Sequence, residues 1–145
     1  VKRNWEKLKM KEGKESVLEG VPRSLPSMVK AQRIQEKARG AGFDWEKPEQ
    51  VWEKVEEEFN EFQEAVSRKD QKEMSDELGD VFFALINYAR FHNLNPDEAL
   101  ERTNRKFISR FRYMEEKVKE SGKTLHELSL AQMDVFWNQA KTTEI

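Results

Sequence analysis

The chain has 145 residues, a net charge of −2 and no cysteine, which suits a single modest domain and excludes disulfides and thiolate metal sites. Hydrophobic and charged residues each make up 37%, and four Trp and nine Phe are too much aromatic content for a disordered chain. The balanced charge gives no ground for nucleic-acid or membrane binding, so an anionic ligand has to be held by a local basic cluster or a metal. No apolar run approaches the roughly 20 residues of a membrane helix, and no signal peptide is visible. With the lack of cysteine, this makes the cytoplasm the expected location.

Residues 1–20 are mostly Lys, Glu and Gly and read as a linker or a frayed N-terminal segment. The chain opens on Val1 rather than Met, which suggests a piece of a longer protein. From Ser24 on, helix signals follow one another. The first helix is predicted from about Leu25 to Arg39, with Ser24 as its cap, Pro26 in its first turn and Gly40 and Gly42 ending it. Its apolar stripe is Leu25, Met28, Ala31, Ile34 and Ala38, and Gly42-Phe43-Asp44-Trp45 then forms a loop.

The second helix is predicted from Pro48 to about Arg68, with Val51, Val55, Phe59, Phe62 and Val66 recurring at steps of three and four. Asp70 caps the third, with Glu73 as the reciprocal capping residue. The third helix is amphipathic through Met74, Leu78, Val81 and Phe82. From Val81 to Tyr88 it is apolar almost all round, with Asn87 as the one polar position. Such a segment has to be buried on every face, as a central helix or at a subunit interface, and a homodimer is expected. Asn95, Pro96 and Glu98 open a fourth helix, with Leu100, Phe107, Phe111, Met114 and Val118 as its buried face and Gly122 at its end. Thr124 and Glu127 read as a further capping box, and a last helix carries Leu130, Met133, Trp137 and Ala140. Strand signals are absent, so the expected fold is all-α, a helical bundle of about five helices.

Two pairs of acids stand out. Glu58 and Glu61 lie three apart on the second helix, and Glu77 and Asp80 three apart on the third. Residues at that spacing are surface neighbours, so each pair is a two-carboxylate claw. The connecting segment allows an antiparallel pairing that sets the claws face to face. At about 100° per residue, Glu58 falls about 60° from the centre of its apolar stripe and flanks the buried face. Four carboxylates crowded beside a core would repel one another and be costly to desolvate, which bound divalent cations relieve. All-oxygen ligation suits Mg²⁺, with Mn²⁺ as a substitute. On spacing alone, a solvated acidic face explains the two pairs equally well.

The ordered set of motifs is more specific. Glu58-x-x-Glu61 followed by Glu77-x-x-Asp80 within Glu-Leu-Gly-Asp-Val-Phe-Phe resembles the MazG family of nucleoside triphosphate pyrophosphohydrolases. Val21-Pro22-Arg23-Ser24-Leu25-Pro26, Ala31-Gln32-Arg33-Ile34-Gln35, Gly42-Phe43-Asp44-Trp45 and Asn104-x-Lys106-Phe107-x-x-Arg110-Phe111 look like the C-terminal copy of two-domain MazG proteins, as do Trp137 and Lys141. The likeness covers about residues 21–141 and implies a catalytic domain over 21–145. An N-terminal copy is missing here. The resemblance implies an all-α, usually dimeric enzyme with Mg²⁺ on Glu58, Glu61, Glu77 and Asp80. It would hydrolyse a nucleoside triphosphate to the monophosphate and pyrophosphate, a housecleaning role for the nucleotide pool. It further implies that Lys106 and Arg110 meet the phosphates, with Asn104 beside them in the same motif, and that Trp137 and Lys141 lie near the substrate.

Each of these residues also has a plainer reading. Lys106 and Arg110 share a helix face and could neutralise a triphosphate, or form a solvated basic stripe with Arg102 and Arg112. Trp137 continues the Leu130–Met133 stripe and could be core. Trp45 could stack on a base or plug the core. Gln32, Arg33 and Gln35 could read base edges or be solvated, while His92 and His126 read as ordinary residues. Among rivals, a di-iron bundle would need Glu-x-x-His on two helices, which is absent. A non-catalytic dimerisation or nucleotide-sensing module would need only the apolar third helix.

Overall fold

The computed structural model of the chain describes residues 15–143. Of the expected linker over residues 1–20, residues 1–14 therefore lie outside the described part, and residues 15–20 are mostly turn. The described residues form five α-helices and no strand: α1 (Ser27–Gly40), α2 (Pro48–Arg68), α3 (Gln71–Phe91), α4 (Pro96–Glu120) and α5 (Leu130–Thr143). A 3₁₀ turn, Leu125–Glu127, precedes α5. The chain divides into two compact units, Val1–Asp97 and Glu98–Ile145.

Local chemistry sets the helix ends. Glycine or asparagine supplies a left-handed residue after α1, α3 and α4: Gly42 (φ 98°), Asn93 (φ 57°) and Gly122 (φ 78°). In each case the next N–H reaches back to close the helix, from Phe43 to the Ala38 carbonyl (2.9 Å), Leu94 to Ala89 (3.0 Å) and Lys123 to Val118 (3.3 Å). Pro48 opens α2 behind a cap in which Gln50 Oε1 accepts from the N–H groups of Glu46 and Lys47, both at 3.1 Å.

Two expected caps differ, and a third forms without its reciprocal contact. Pro26, not Ser24, stands at the N-cap of α1, with no side-chain cap. Asp70 does cap α3 by accepting the Glu73 N–H at 3.2 Å, but the Glu73 carboxylate is engaged by Arg68 across the turn. Thr124 donates its hydroxyl to the Glu127 carboxylate at 3.2 Å instead of capping the backbone.

Within the first unit, α2 and α3 form a hairpin with extensive mutual packing, and α3 also meets α1. Val51, Val55 and Ala65 from α2 are buried, as are Val81, Ala84 and Ile86 from α3. Trp52 packs on Tyr88 (5.1 Å between ring centres) and Tyr88 on His92 (4.6 Å), the ordinary packing role expected of this histidine. The buried line of α2 is Val51, Val55, Glu58 and Ala65, with Phe62 half-buried. Phe59 and Val66, expected in the core, are exposed. The stripe is thus rotated from its expected position, and Glu58 is in it rather than beside it.

The 81–88 segment is not buried on every face, because Phe82 is 51% exposed and Phe83 is also exposed. The hairpin covers one face of this segment and α1 another, which leaves Phe82 about half exposed.

In the second unit, Met114, Val118 and Ala140 are buried, and Phe107 rests on Trp137 at 5.1 Å. Leu100 and Phe107, expected to be buried, are exposed, and so is Leu130 of the last helix's apolar stripe, at 72%. Two helices and a turn bury few side chains.

The loop after α1 is tied to α3 by Asp44. Its carboxylate takes a two-pronged contact from Arg90, at 2.6 and 3.2 Å, and the Trp45 N–H at 2.8 Å. Asn87 Oδ1 accepts from the same guanidinium at 2.7 Å. Burial pushes the Asp44 carboxyl up. The Arg90 and Trp45 hydrogen bonds and the charges of Arg90 and Arg39 outweigh it and hold the group below the usual carboxylate range. A depressed folded-state pKa gives stability that is present above the unfolded value and lost as pH falls through the folded one. Asp44→Asn should therefore cost about 1–3 kcal/mol at neutral pH. In thermal melts the gap to the wild type should close below the ordinary aspartate range.

Candidate functional site

The α2–α3 hairpin turns on two residues, Lys69 and Asp70, between helices that end at Arg68 and begin at Gln71. Lys69 adopts a left-handed conformation (φ 58°). It lies eleven residues from both Glu58 and Asp80, and eight from both Glu61 and Glu77. Folding the chain back at this point sets Glu58 across from Asp80 and Glu61 across from Glu77.

The outcome is a compact acidic group. Glu58, Glu77 and Asp80 each offer a carboxylate oxygen, all within 4.8 Å of one another, and together could hold a metal ion. Glu58 is only 6% exposed. Glu77 is half-buried, and Asp80 is open to solvent. Glu61 lies outside this group of three. The Glu58 charge, loss of solvent and the Glu77 contact push its carboxyl above the ordinary range.

The buried oxygens test whether a cation fits. Glu58 Oε2 and Glu77 Oε2 are both buried without a hydrogen-bond partner. Unpaired buried carboxylate oxygens are among the costlier features a fold can carry. A divalent ion would satisfy both at once, and the all-oxygen donor set suits a hard cation.

Lys54, one turn before Glu58, was missed in the sequence. Its ammonium donates to Glu58 Oε1 at 2.9 Å and lies 3.5 Å from Glu57. The Glu58 hydrogen bond, against loss of solvent, raises Lys54 above its ordinary range. The Lys54–Glu58 spacing of four was the available signal. Next to the acids is a cleft of ≈ 250 Å³ lined by Lys54, Glu58, Asp80, Asn87 and the rings of Trp45 and Phe83. Trp45 thus comes to the acidic group, whereas Gln32 lines a different hollow with Glu36 and Arg39, and Arg33 is exposed.

The remaining candidates belong to the second unit. Asn104, Lys106 and Lys141 are exposed, and Arg110 is half-buried with its guanidinium 6.0 Å from the Trp137 ring. Trp137 is half-buried against Phe107.

Residues 46–114, which carry all four acids, match the MazG nucleotide pyrophosphohydrolase domain. The chain is 41% identical over 142 residues to a Thermotoga maritima protein named nucleoside triphosphate pyrophosphohydrolase/pyrophosphatase MazG, an alignment covering 96% of this chain and 54% of that protein. It is 36% identical over 147 residues to the nucleoside triphosphate pyrophosphohydrolase of Escherichia coli K12, covering 97% and 56%. It is also 47% identical over 145 residues to the Bacillus subtilis 168 protein named Uncharacterized protein YabN, covering 97% and 30%.

The chain belongs to the MazG family. It spans about half the length of the Thermotoga and Escherichia relatives above. The MazG match takes in Lys54, Asn104, Lys106 and Arg110, but stops short of Trp137 and Lys141 and begins just after Trp45.

Lys54 gives the site a stability signature. Lys54→Met removes the ammonium that donates to Glu58 Oε1 at 2.9 Å. In chelator it should lower stability by about 1–3 kcal/mol. Added Mg²⁺ or Mn²⁺ should shrink that loss, as read by thermal denaturation with and without the ion.

Proposed function

We propose that this chain hydrolyses nucleoside triphosphates to the monophosphate and pyrophosphate, with Mg²⁺ held by Glu58, Glu77 and Asp80 and with Glu61 beside them. The observation that carries this reading is the acidic group itself. A glutamate occupies a core position of α2 and faces two acids of α3, and two buried oxygens are left for a cation. The stretch that holds them is the one that matches MazG. The names of the Thermotoga and Escherichia relatives support the reaction.

A divalent ion bound there supplies Lewis acidity at the phosphate and makes water a better nucleophile. The chain's own groups do the rest. Lys54 holds Glu58 by Oε1 and leaves Oε2 as ligand. One of the four carboxylates accepts the proton of the attacking water. The water oxygen bonds to the α-phosphorus as the bond to the β-phosphate's bridging oxygen breaks, and pyrophosphate leaves with that electron pair. Lys106 and Arg110 are the candidates for phosphate charge, on the family resemblance alone.

Glu58→Gln or Asp80→Asn should lower turnover by orders of magnitude, and chelator should abolish it. Hydrolysis in ¹⁸O-labelled water should place the label in the monophosphate. Orthophosphate and a nucleoside diphosphate as first products would refute the reaction.

We read the exposed apolar residues of the hairpin as a subunit contact. Phe59 and Val66 on α2 and Leu78 and Phe82 on α3 are all exposed, an apolar surface that a homodimer would cover. Light scattering at micromolar concentration should give a dimer for the wild type and a monomer for Phe82→Glu. A wild-type monomer would contradict this.

A further inference from the structure

Behind the acidic cleft lies a second, larger cavity of ≈ 430 Å³. Its walls are mainly apolar, made by Ile34 and Ala38 of α1, Phe43 and Trp45 of the loop and Phe83 of α3. The two hollows share Trp45, Phe83 and Asn87, so one adjoins the other. Metal-ligating acids and an aromatic-walled cavity thus stand side by side within one compact unit.

One polar group of the cavity has an unmet need. Gln35 lines it and is 6% exposed. Its Nε2 donates to the Phe83 carbonyl at 2.9 Å, which fixes the carboxamide, while its Oε1 is buried and has no partner. The cavity's charged residues are otherwise engaged, since Asp44 and Arg90 pair with each other. What remains is a buried, unpartnered acceptor in a chamber walled in part by aromatic rings. That combination suits a flat heterocycle bearing an N–H on one edge, stacked on a ring face and donating to the carboxamide oxygen.

We propose that this cavity receives the nucleobase of the substrate and that Gln35 is the residue that reads it. The inference rests on the nucleotide reading given above and adds where the base goes. Gln32 and Arg33, the neighbouring candidates from the sequence, do not line this chamber. Gln35 distinguishes bases by whether they present an N–H to its oxygen, which adenine, guanine, cytosine and uracil all do. The chamber therefore accepts several nucleotides and rejects a base with no donor on that edge.

The test compares initial rates of pyrophosphate release from ATP, GTP, CTP and UTP with those from purine riboside triphosphate, which lacks that N–H, and ribose 5-triphosphate, which lacks a base. The wild type should favour the best natural nucleotide over purine riboside triphosphate by roughly tenfold in kcat/KM, the scale of one hydrogen bond to a buried acceptor. Gln35→Leu should erase that preference. Ala38→Phe fills the chamber without removing a hydrogen bond and should lower the ratio of nucleotide to ribose 5-triphosphate turnover. Equal wild-type rates with ATP and purine riboside triphosphate would overturn the assignment of Gln35. So would a Gln35→Leu variant that keeps the preference, while an unchanged ratio for Ala38→Phe would overturn the chamber. Failure of the wild type to release pyrophosphate from any compound would instead overturn the underlying reaction, and the inference with it.

Discussion

The site depends on one placement, a glutamate at a position where the packing of α2 calls for an apolar side chain. Val51, Val55, Glu58 and Ala65, with half-buried Phe62 between the last two, follow the alternating three- and four-residue steps of a helix seam. Glu58 is therefore turned into the hairpin by the same packing that buries the valines. Lys54 meets one of its oxygens, and the acids Glu77 and Asp80 of α3 stand close by. A carboxylate held in this way cannot swing out to water without unpacking the helix. The acidic group is thereby kept together despite the mutual repulsion that shows in Glu61.

The helices were legible because their ends are written in local chemistry. Gly42 and Gly122 are plain stop signals, Pro48 and Pro96 are first-turn residues, and Asp70 is a cap. The four acids were legible from spacing. The rotation of α2 was not. Phe59 and Val66 are as hydrophobic as the true core residues and drew the expected stripe toward themselves, which left Glu58 on its edge. Their exposure follows from what α2 packs against, and no property of the helix alone contains that. The same holds for Phe82 and for Leu130.

Choosing among Gln32, Arg33 and Gln35 also needed the tertiary structure. All three sit on α1, and only the rotation of that helix against α3 decides which one reaches the Phe83 carbonyl. The polar links Lys54–Glu58 and Asp44–Arg90 differ in the same respect. The first is an i, i+4 pair within a helix, readable in principle from the sequence. The second joins residues 46 positions apart and could be read only from the fold.

The equal spacing of the acids about Lys69 makes the turn between α2 and α3 a ruler. Most surface loops tolerate insertions at little thermodynamic cost, but this one sets the registration of two helices. One added residue would slide α3 along α2 by about 1.5 Å and turn it by about 100°. Asp80 would then no longer lie opposite Glu58, although both helices could still form. Natural variation in length should therefore collect in the other connections, while the Lys69–Asp70 link stays at two residues even where its side chains change.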